Sequence, residues 1–113
     1  MPALDPHLQG TERVREVFNR VRNGDNRVAD LYAEDGVVVT AGHQIEGREA
    51  IRAFYQRAID SIHPKPEVQA VLEAPPHYVV LVDVPNDQGR MRALDVFELG
   101  DDGIHRLEIF SRE

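Results

Sequence analysis

The stretch "GREAIRAFYQRAIDSI", residues 47–62, has the periodicity of an amphipathic helix. Its apolar side chains recur every three or four residues and share one face: Ile51, Phe54, Ala58, Ile59 and Ile62. The following "HPKP" at 63–66 ends the helix, because proline cannot continue its hydrogen bonding. Strand-like sequence lies on both sides of this helix, which indicates a mixed domain rather than a helical bundle.

The residues after this helix predict four β-strands. Each run is rich in apolar and β-branched residues, and the runs cover 68–74, 78–84, 91–99 and 104–111. The turns at 86–89 and 100–103 are short and rich in Asp, Asn and Gly, which is typical of hairpins. We therefore expect neighbouring strands in this half to pair antiparallel.

The residues before the helix predict two further helices. Thr11 is the expected N-cap of the first helix, whose apolar positions have helical spacing: Val14, Val17, Phe18 and Val21. Gly24 closes that helix, and Asp25 caps a short second one. The second helix has three apolar positions and ends near "EDG" at 34–36: Val28, Leu31 and Tyr32.

A strand hairpin completes the predicted order of elements. "VVVTA" at 37–41 is β-branched and turns at 42–43 into a brief return strand around Ile45. The chain is therefore an α+β domain, with three N-terminal helices packed on one face of a curved, mainly antiparallel sheet. We expect residues 1–10 to form a flexible arm and 11–113 to form one domain.

Composition excludes several classes of protein. The chain has 113 residues, 42% of them hydrophobic, which suits a single globular domain. It has no cysteine, and its formal net charge of −7 argues against nucleic acid as a partner. No apolar run has the length of a membrane span, and the N-terminus lacks the apolar core of a signal peptide. We therefore expect no membrane partner and a cytoplasmic protein.

The sequence has no motif for a cofactor or a metal. It contains no G-x-G-x-x-G, no P-loop and no G-x-S-x-G, so nucleotide and acyl-serine chemistry find no support. His63, His77 and His105 show no metal-ligand spacing with one another or with acids. We expect no cofactor and no metal.

One acid stands out in the strand "MRALDVFEL" at 91–99. Alternate residues of a strand share a face, so Asp95 lies on the same side as four apolar residues: Met91, Ala93, Phe97 and Leu99. A carboxylate that faces a core needs a partner, a shifted pKa or a function. Asp95 is therefore the first candidate for a site residue, and the alternative is a buried acid that holds a backbone amide or a tyrosine.

Four motifs resemble the nuclear-transport-factor-2-like superfamily, and within it the ketosteroid-isomerase and polyketide-cyclase-like (SnoaL-like) branch. They are "NGD" at 23–25, "LYAEDGVVV" at 31–39, "EGREAIRAFY" at 46–55 and "LDVFELGDDGI" at 94–104. The resemblance implies a cone-shaped fold whose curved sheet encloses an apolar pocket. It also implies a hydrophobic ligand, steroid- or polyketide-like, that carries a carbonyl or hydroxyl group.

The resemblance assigns roles to three positions of the isomerase site. Asp95 falls where the family places a protonated acid that donates a hydrogen bond to the substrate oxygen. Val17 falls where the family has its oxyanion tyrosine, and Thr40 falls where it has the aspartate that acts as base. Because valine lacks a hydroxyl and threonine is far too weak an acid to serve as base, the family's proton transfer lacks two of its groups here.

Three further residues are candidates for the chemistry. Tyr32 and Tyr55 match positions that support the oxyanion donor in one subgroup of isomerases, and either could reach Asp95. Their alternative is a role as core aromatics with a polar tip at the surface. His43, in a turn at the rim of the expected pocket, is the remaining candidate base because histidine titrates near neutrality.

The complete prediction is a pocket with catalytic and ligand-contacting residues. The catalytic candidates are Asp95, Tyr32, Tyr55 and His43, and the expected substrate-contacting residues are Val17, Phe18, Thr40, Phe54, Ala93 and Phe97. Three functions stay open: an isomerase or cyclase-like enzyme, a non-catalytic binder of an apolar ligand, and a homodimerising module. Leu94 and Val96, on the opposite strand face from Asp95, would supply apolar area for a homodimer through the sheet.

Overall fold

The computed structural model describes residues 9–112, so the predicted arm lies outside the described residues apart from Gln9 and Gly10. The helices are α1 (Thr11–Arg22), a 3₁₀ helix (Asn26–Leu31) and α2 (Arg48–Ile62). The strands are β1 (Tyr32–Thr40), β2 (His43–Glu46), β3 (Glu67–Ala74), β4 (His77–Asn86), β5 (Gly89–Gly100) and β6 (Gly103–Arg112). Within this part of the chain, no helix is both long enough and apolar enough to cross a membrane.

The strands form one mixed sheet in the order β2-β1-β6-β5-β4-β3. Strands β1 and β6 are parallel, and the other neighbours are antiparallel. The helices pack on one face of the sheet, which we call the inner face, and the opposite face is the outer face. The predicted α+β fold is confirmed, including antiparallel pairing along β3 to β6.

The beginnings of the first two helices agree only in part with the prediction. Thr11 is not an N-cap: Gly10 holds that position without a side-chain cap, and the Thr11 hydroxyl instead donates to the Glu73 carboxylate of β3. The predicted cap of the second helix is confirmed, because Asp25 accepts from the Arg27 amide at 2.9 Å. That second helix is a six-residue 3₁₀ helix rather than an α-helix.

Strand β1 starts earlier than predicted. The placement of Tyr32 on the second helix is wrong, because the 3₁₀ helix ends one residue before it and Tyr32 already pairs with Ile104 of β6. The register then shifts before Val37, so the turn-like "AEDG" forms an irregularity within the strand. Gly36 is needed there, since a Cβ would lie 2.9 Å from the Ile104 carbonyl oxygen.

The core lies between the helices and the inner face. Strands β4 and β5 bury alternate residues there, as period-two alternation predicts. Phe18 of α1 packs edge-on against Phe97 of β5, with ring centroids 5.9 Å apart and an interplanar angle of 85°. Burying one such aromatic side chain stabilises the fold by about 1.5–3 kcal/mol.

The outer face carries exposed apolar side chains on four neighbouring strands. They are Leu72 (60% exposed), Leu81 (43%), Leu94 (36%) and Phe110 (51%), and we call them the outer apolar band. Leu81, Leu94 and Phe110 pair directly across β4, β5 and β6, so they form one row. Contiguous exposed apolar side chains often mark a surface that binds another molecule, whereas single scattered ones do not.

Candidate ligand-binding site

Strand β5 places Asp95 on the inner face, between Val80 of β4 and Ile109 of β6. Asp95 is 6% exposed, which confirms the burial predicted from the alternation along the strand. Its Oδ1 atom has no hydrogen-bond partner among residues 9–112. Burial raises the pKa of Asp95 to about 7, because apolar surroundings disfavour the charged form. Near neutral pH a large fraction of this carboxyl group is therefore protonated and can donate a hydrogen bond.

Tyr32 of β1 and Tyr55 of α2 form a second buried polar feature. Their hydroxyl oxygens lie 2.6 Å apart, and both hydroxyls are buried rather than exposed at the surface. Burial raises the pKa of both phenols, and the negative charge of Asp95 raises them further. One O–H lies in the shared hydrogen bond, so the other remains available as a donor.

The position of Tyr32 depends on α2. The Arg48 guanidinium donates from Nε and Nη2 to the Tyr32 carbonyl oxygen at 3.1 and 2.9 Å. These bonds tie the irregular start of β1 to the first turn of α2, and Tyr55 lies two turns further along the same helix. The helix thus fixes both members of the tyrosine pair.

Four of the predicted substrate-contacting residues belong to the core around Asp95. Val17 and Phe18 of α1 are buried, as is Phe97 of β5, and Ala93 is half-buried against them. Ala93 and Phe97 are the inner-face neighbours of Asp95 along its own strand. Because Val17 has no polar group, α1 provides no hydrogen-bond donor at the position where the family has its oxyanion tyrosine.

Thr40 and Asp95 belong to one row across the inner face. Thr40 pairs with Ile109, which in turn pairs with Asp95, and His43 lies beyond Thr40 on β2. Neighbouring strands are about 4.8 Å apart, so the backbones at Thr40 and Asp95 are roughly 10 Å apart. Ile109 alone separates them in this row.

A cleft of about 660 Å³ opens between the second half of α2 and the β1–β2 hairpin. Three predicted site residues line it, namely Thr40, His43 and Phe54, together with the apolar side chains of Ile45, Ala58 and Ile62. Its size is within the range of small-molecule sites, about 300–1,000 Å³. Asp95 and the tyrosine pair do not line the cleft. Apart from the four in the apolar core, the predicted residues therefore form two groups: the buried polar residues Asp95, Tyr32 and Tyr55, which we call the buried cluster, and the residues that line the cleft.

A family model described as a SnoaL-like domain matches residues 14–107. The chain belongs to the SnoaL-like family. The branch predicted from the four motifs is thereby confirmed. A search of curated proteins finds no match.

Solved structures share the fold of this SnoaL-like chain at low identity. A candidate polyketide cyclase from Sinorhizobium meliloti has a TM-score of 0.81 at 20% identity, covering 95% of this chain and 100% of that one. A candidate ketosteroid isomerase from Kribbella flavida has a TM-score of 0.81 at 22% identity, covering 89% and 76%. The epoxide hydrolase/cyclase-like enzyme SalBIII, studied for pyran-ring formation in the polyether salinomycin, has 0.79 at 21%, covering 89% and 88%. At these identities the likeness shows the fold alone.

The cleft of this SnoaL-like domain is also lined by polar residues that were not among the predicted site residues. Gln44 lines it from β2, and Arg57 and Ser61 line it from α2. Arg57 and Ser61 lie one and two turns after Phe54, a spacing from which they could have been found once Phe54 was assigned to the cleft. They were missed because polar residues of an amphipathic helix are normally assigned to its solvated face.

A second cleft of about 590 Å³ lies beside the start of α1 and contains no predicted site residue. Arg13, Tyr78 and Asp101 are among its lining side chains, and Arg13 donates to the Gly100 carbonyl oxygen at 3.2 Å.

In the described part of the chain, no three His, Asp or Glu side chains come together as a metal site would require.

Proposed function

We propose that this protein is a ketosteroid-isomerase-like pocket protein that binds or acts on a hydrophobic ligand with a carbonyl or enol oxygen. The ligand enters the cleft beside Thr40 and extends over Ile109 toward Asp95. Protonated Asp95 donates a hydrogen bond to the ligand oxygen, and the free O–H of the Tyr32–Tyr55 pair supports it. Asp95 acts as the pocket acid.

The observation that carries this proposal is the unpaired Oδ1 atom of Asp95. A buried polar atom without a partner costs about 1–3 kcal/mol, so native proteins rarely keep one without a function. The raised pKa of Asp95 supports the same interpretation, because a neutral acid in an apolar site is a strong donor to a carbonyl or enolate oxygen. Two of the structural neighbours are named as a candidate polyketide cyclase and a candidate ketosteroid isomerase. Polyketides and ketosteroids are largely apolar molecules with carbonyl groups, which is the ligand class proposed here.

The reaction, if the ligand is turned over, needs a base other than Thr40. Thr40 lies at the position that the family gives to the catalytic aspartate, and its hydroxyl does not ionise near pH 7. His43 lines the same cleft and pairs with Thr40 across the hairpin. We propose His43 as the base of an isomerase or a cyclase-like lyase, and a non-catalytic binder is the alternative function.

Binding of a phenolic steroid, an analogue of a dienolate, tests the role of Asp95. Asp95→Asn keeps the size and a donor, so we expect the dissociation constant to change by less than about threefold, whereas Asp95→Leu should weaken binding by about tenfold or more. Fluorescence titration of the three proteins measures this, with circular dichroism as the control for folding. Unchanged affinity in Asp95→Leu would contradict the proposal.

Turnover of a 5-ene-3-ketosteroid separates this protein from the true isomerases. We expect no rate above buffer, because Thr40 and Val17 replace the base and the oxyanion tyrosine. A rate well above buffer that is lost in His43→Ala would show that the histidine replaces the missing base.

We propose a homodimer through the outer face as the protein's partner interaction. The outer apolar band supports it, because a second copy placed on the same face would cover all four side chains. Light scattering after size exclusion should give a dimer for the wild type and a monomer for Leu94→Glu combined with Phe110→Glu. His77→Gln, on the same face outside the band, is the matched control. A monomeric wild type at high concentration would contradict the proposal.

A further inference from the structure

The charge of the cleft is opposite to the charge of the protein. The chain carries 20 Asp and Glu and a net charge of −7, yet no acidic side chain of the described residues lines the cleft. Its ionisable lining residues are Arg57 and His43. Two acids next in sequence to lining residues do not line the cleft themselves: Asp60 accepts from the Gln56 amide at 2.9 Å, and Glu46 accepts from the amide of the lining residue Gln44 at 2.7 Å.

Arg57 also differs from the other arginines in having no protein partner. Among the arginines between residues 9 and 111, Arg57 and Arg15 are those whose side chains make no hydrogen bond or ion pair, and of these two only Arg57 lines a cleft. Arg52, on the same helix, shows the usual situation: it pairs with Asp30 at 2.5 Å and also contacts Glu49. Arg57 and His43 are the exposed ionisable residues of the cleft, and we call the part that they line the cleft mouth. The Arg57 guanidinium there is not neutralised by an acid of the described chain.

We propose that the ligand is an amphipathic acid whose carboxylate binds Arg57. The proposal rests on the proposed function, in that the cleft holds the ligand. A guanidinium binds a carboxylate through two parallel hydrogen bonds, and His43 and Ser61 line the same cleft as further polar contacts. The apolar body of the ligand lies on Ile45, Phe54 and Ala58.

This placement also fixes the direction of the ligand. A carboxylate beside the buried cluster would lie next to the acid Asp95 in an environment largely shielded from water, and none of the three cluster side chains is a cation that could neutralise it. The charged end therefore stays at the mouth with Arg57, and the carbonyl end points inward toward Asp95. The substrate class is an apolar oxo-acid rather than a neutral steroid.

Two ligands of equal length test the carboxylate. Decanoate carries the acid and 2-decanone carries only the carbonyl, and chemical-shift titration of the ¹⁵N-labelled protein gives both dissociation constants. Arg57→Gln should weaken decanoate binding by about tenfold and change 2-decanone binding by less than about twofold. Arg57→Lys should recover part of the loss, because it keeps the charge without the planar fork. Arg15→Gln, the matched control, should change neither.

The outcomes separate this proposal from the proposed function. If 2-decanone shifts the cleft resonances but decanoate binds equally to the wild type and Arg57→Gln, the carboxylate proposal is wrong and the proposed function stands. If neither ligand shifts the cleft resonances of the wild type, both are wrong. Decyl phosphate is the third probe: tighter binding than decanoate, with a larger loss in Arg57→Gln, would overturn the carboxylate in favour of a phosphate.

Discussion

The buried cluster and the cleft mouth contain polar residues of the same domain in opposite environments. In the cluster, Asp95, Tyr32 and Tyr55 are almost excluded from solvent, and burial raises all three pKa values. At the mouth, Arg57 and His43 are exposed. Both groups face the same side of the sheet, and Ile109 separates them in the row that joins Thr40 to Asp95.

The difference shows that residues of one binding surface can be constrained by different forces. A polar group in the cluster has lost its water, so any change there alters the stability of the fold as well as the site. A polar group at the mouth keeps its water, so a change there alters binding with little effect on folding. The following predictions test this contrast, beginning with the largest effect.

Asp95 should make the stability of the protein fall as the pH rises. Its pKa is raised to about 7 in the fold from an ordinary value of 3.8, so between these pH values the folded protein binds more protons than the unfolded chain. Stability is then lost with rising pH, on the order of 4 kcal/mol between pH 4 and pH 8. Asp95→Asn has no such group, so its gain over the wild type should be near zero at pH 4 and largest at pH 8.

Urea unfolding of both proteins at several pH values measures this difference. The comparison removes the other titrating groups, such as His105 with Asp102, because they are common to both proteins. A constant difference between wild type and Asp95→Asn across this range would mean that Asp95 is ionised normally in the fold.

Tyr55→Phe should destabilise the fold by about 1–3 kcal/mol, since it leaves the Tyr32 hydroxyl buried without its partner. Tyr78→Phe is the matched control, because Tyr78 is equally buried but its hydroxyl has no hydrogen bond among the described residues. We expect the control to stay within about 0.5 kcal/mol of the wild type. Equal effects of the two substitutions in thermal unfolding would show that the hydrogen bond between Tyr32 and Tyr55 does not contribute to the stability of the fold.

Local sequence patterns predicted those parts of the molecule that local forces determine. The period of three to four residues identified α2, and the short Asp- and Gly-rich turns identified the antiparallel pairing of β4, β5 and β6. The alternation along β5 was enough to place Asp95 on the buried face. The four motifs added the SnoaL-like family, which the match over residues 14–107 confirms.

The sequence failed where distant residues decide the structure. "AEDG" has the composition of a turn, and only the pairing of Tyr32 with Ile104 and Val37 with Arg106, about seventy residues away, keeps it within β1. The bond between Tyr32 and Tyr55 likewise depends on how α2 lies on β1. Arg57 was overlooked because its exposure on a helix carries no signal until the cleft beside it is known.

His43→Ala should have the smallest effect on folding. His43 is exposed on the short strand β2, and its imidazole has no hydrogen bond or ion pair in the described chain, so the free energy of unfolding should change by less than about 0.5 kcal/mol. Any loss should then appear in ligand binding or turnover, because His43 lines the cleft. Chemical denaturation and decanoate titration on the same variant measure both quantities. A stability loss as large as that of Tyr55→Phe would mean that the cleft mouth, like the buried cluster, holds the fold together, and the contrast between the two regions would disappear.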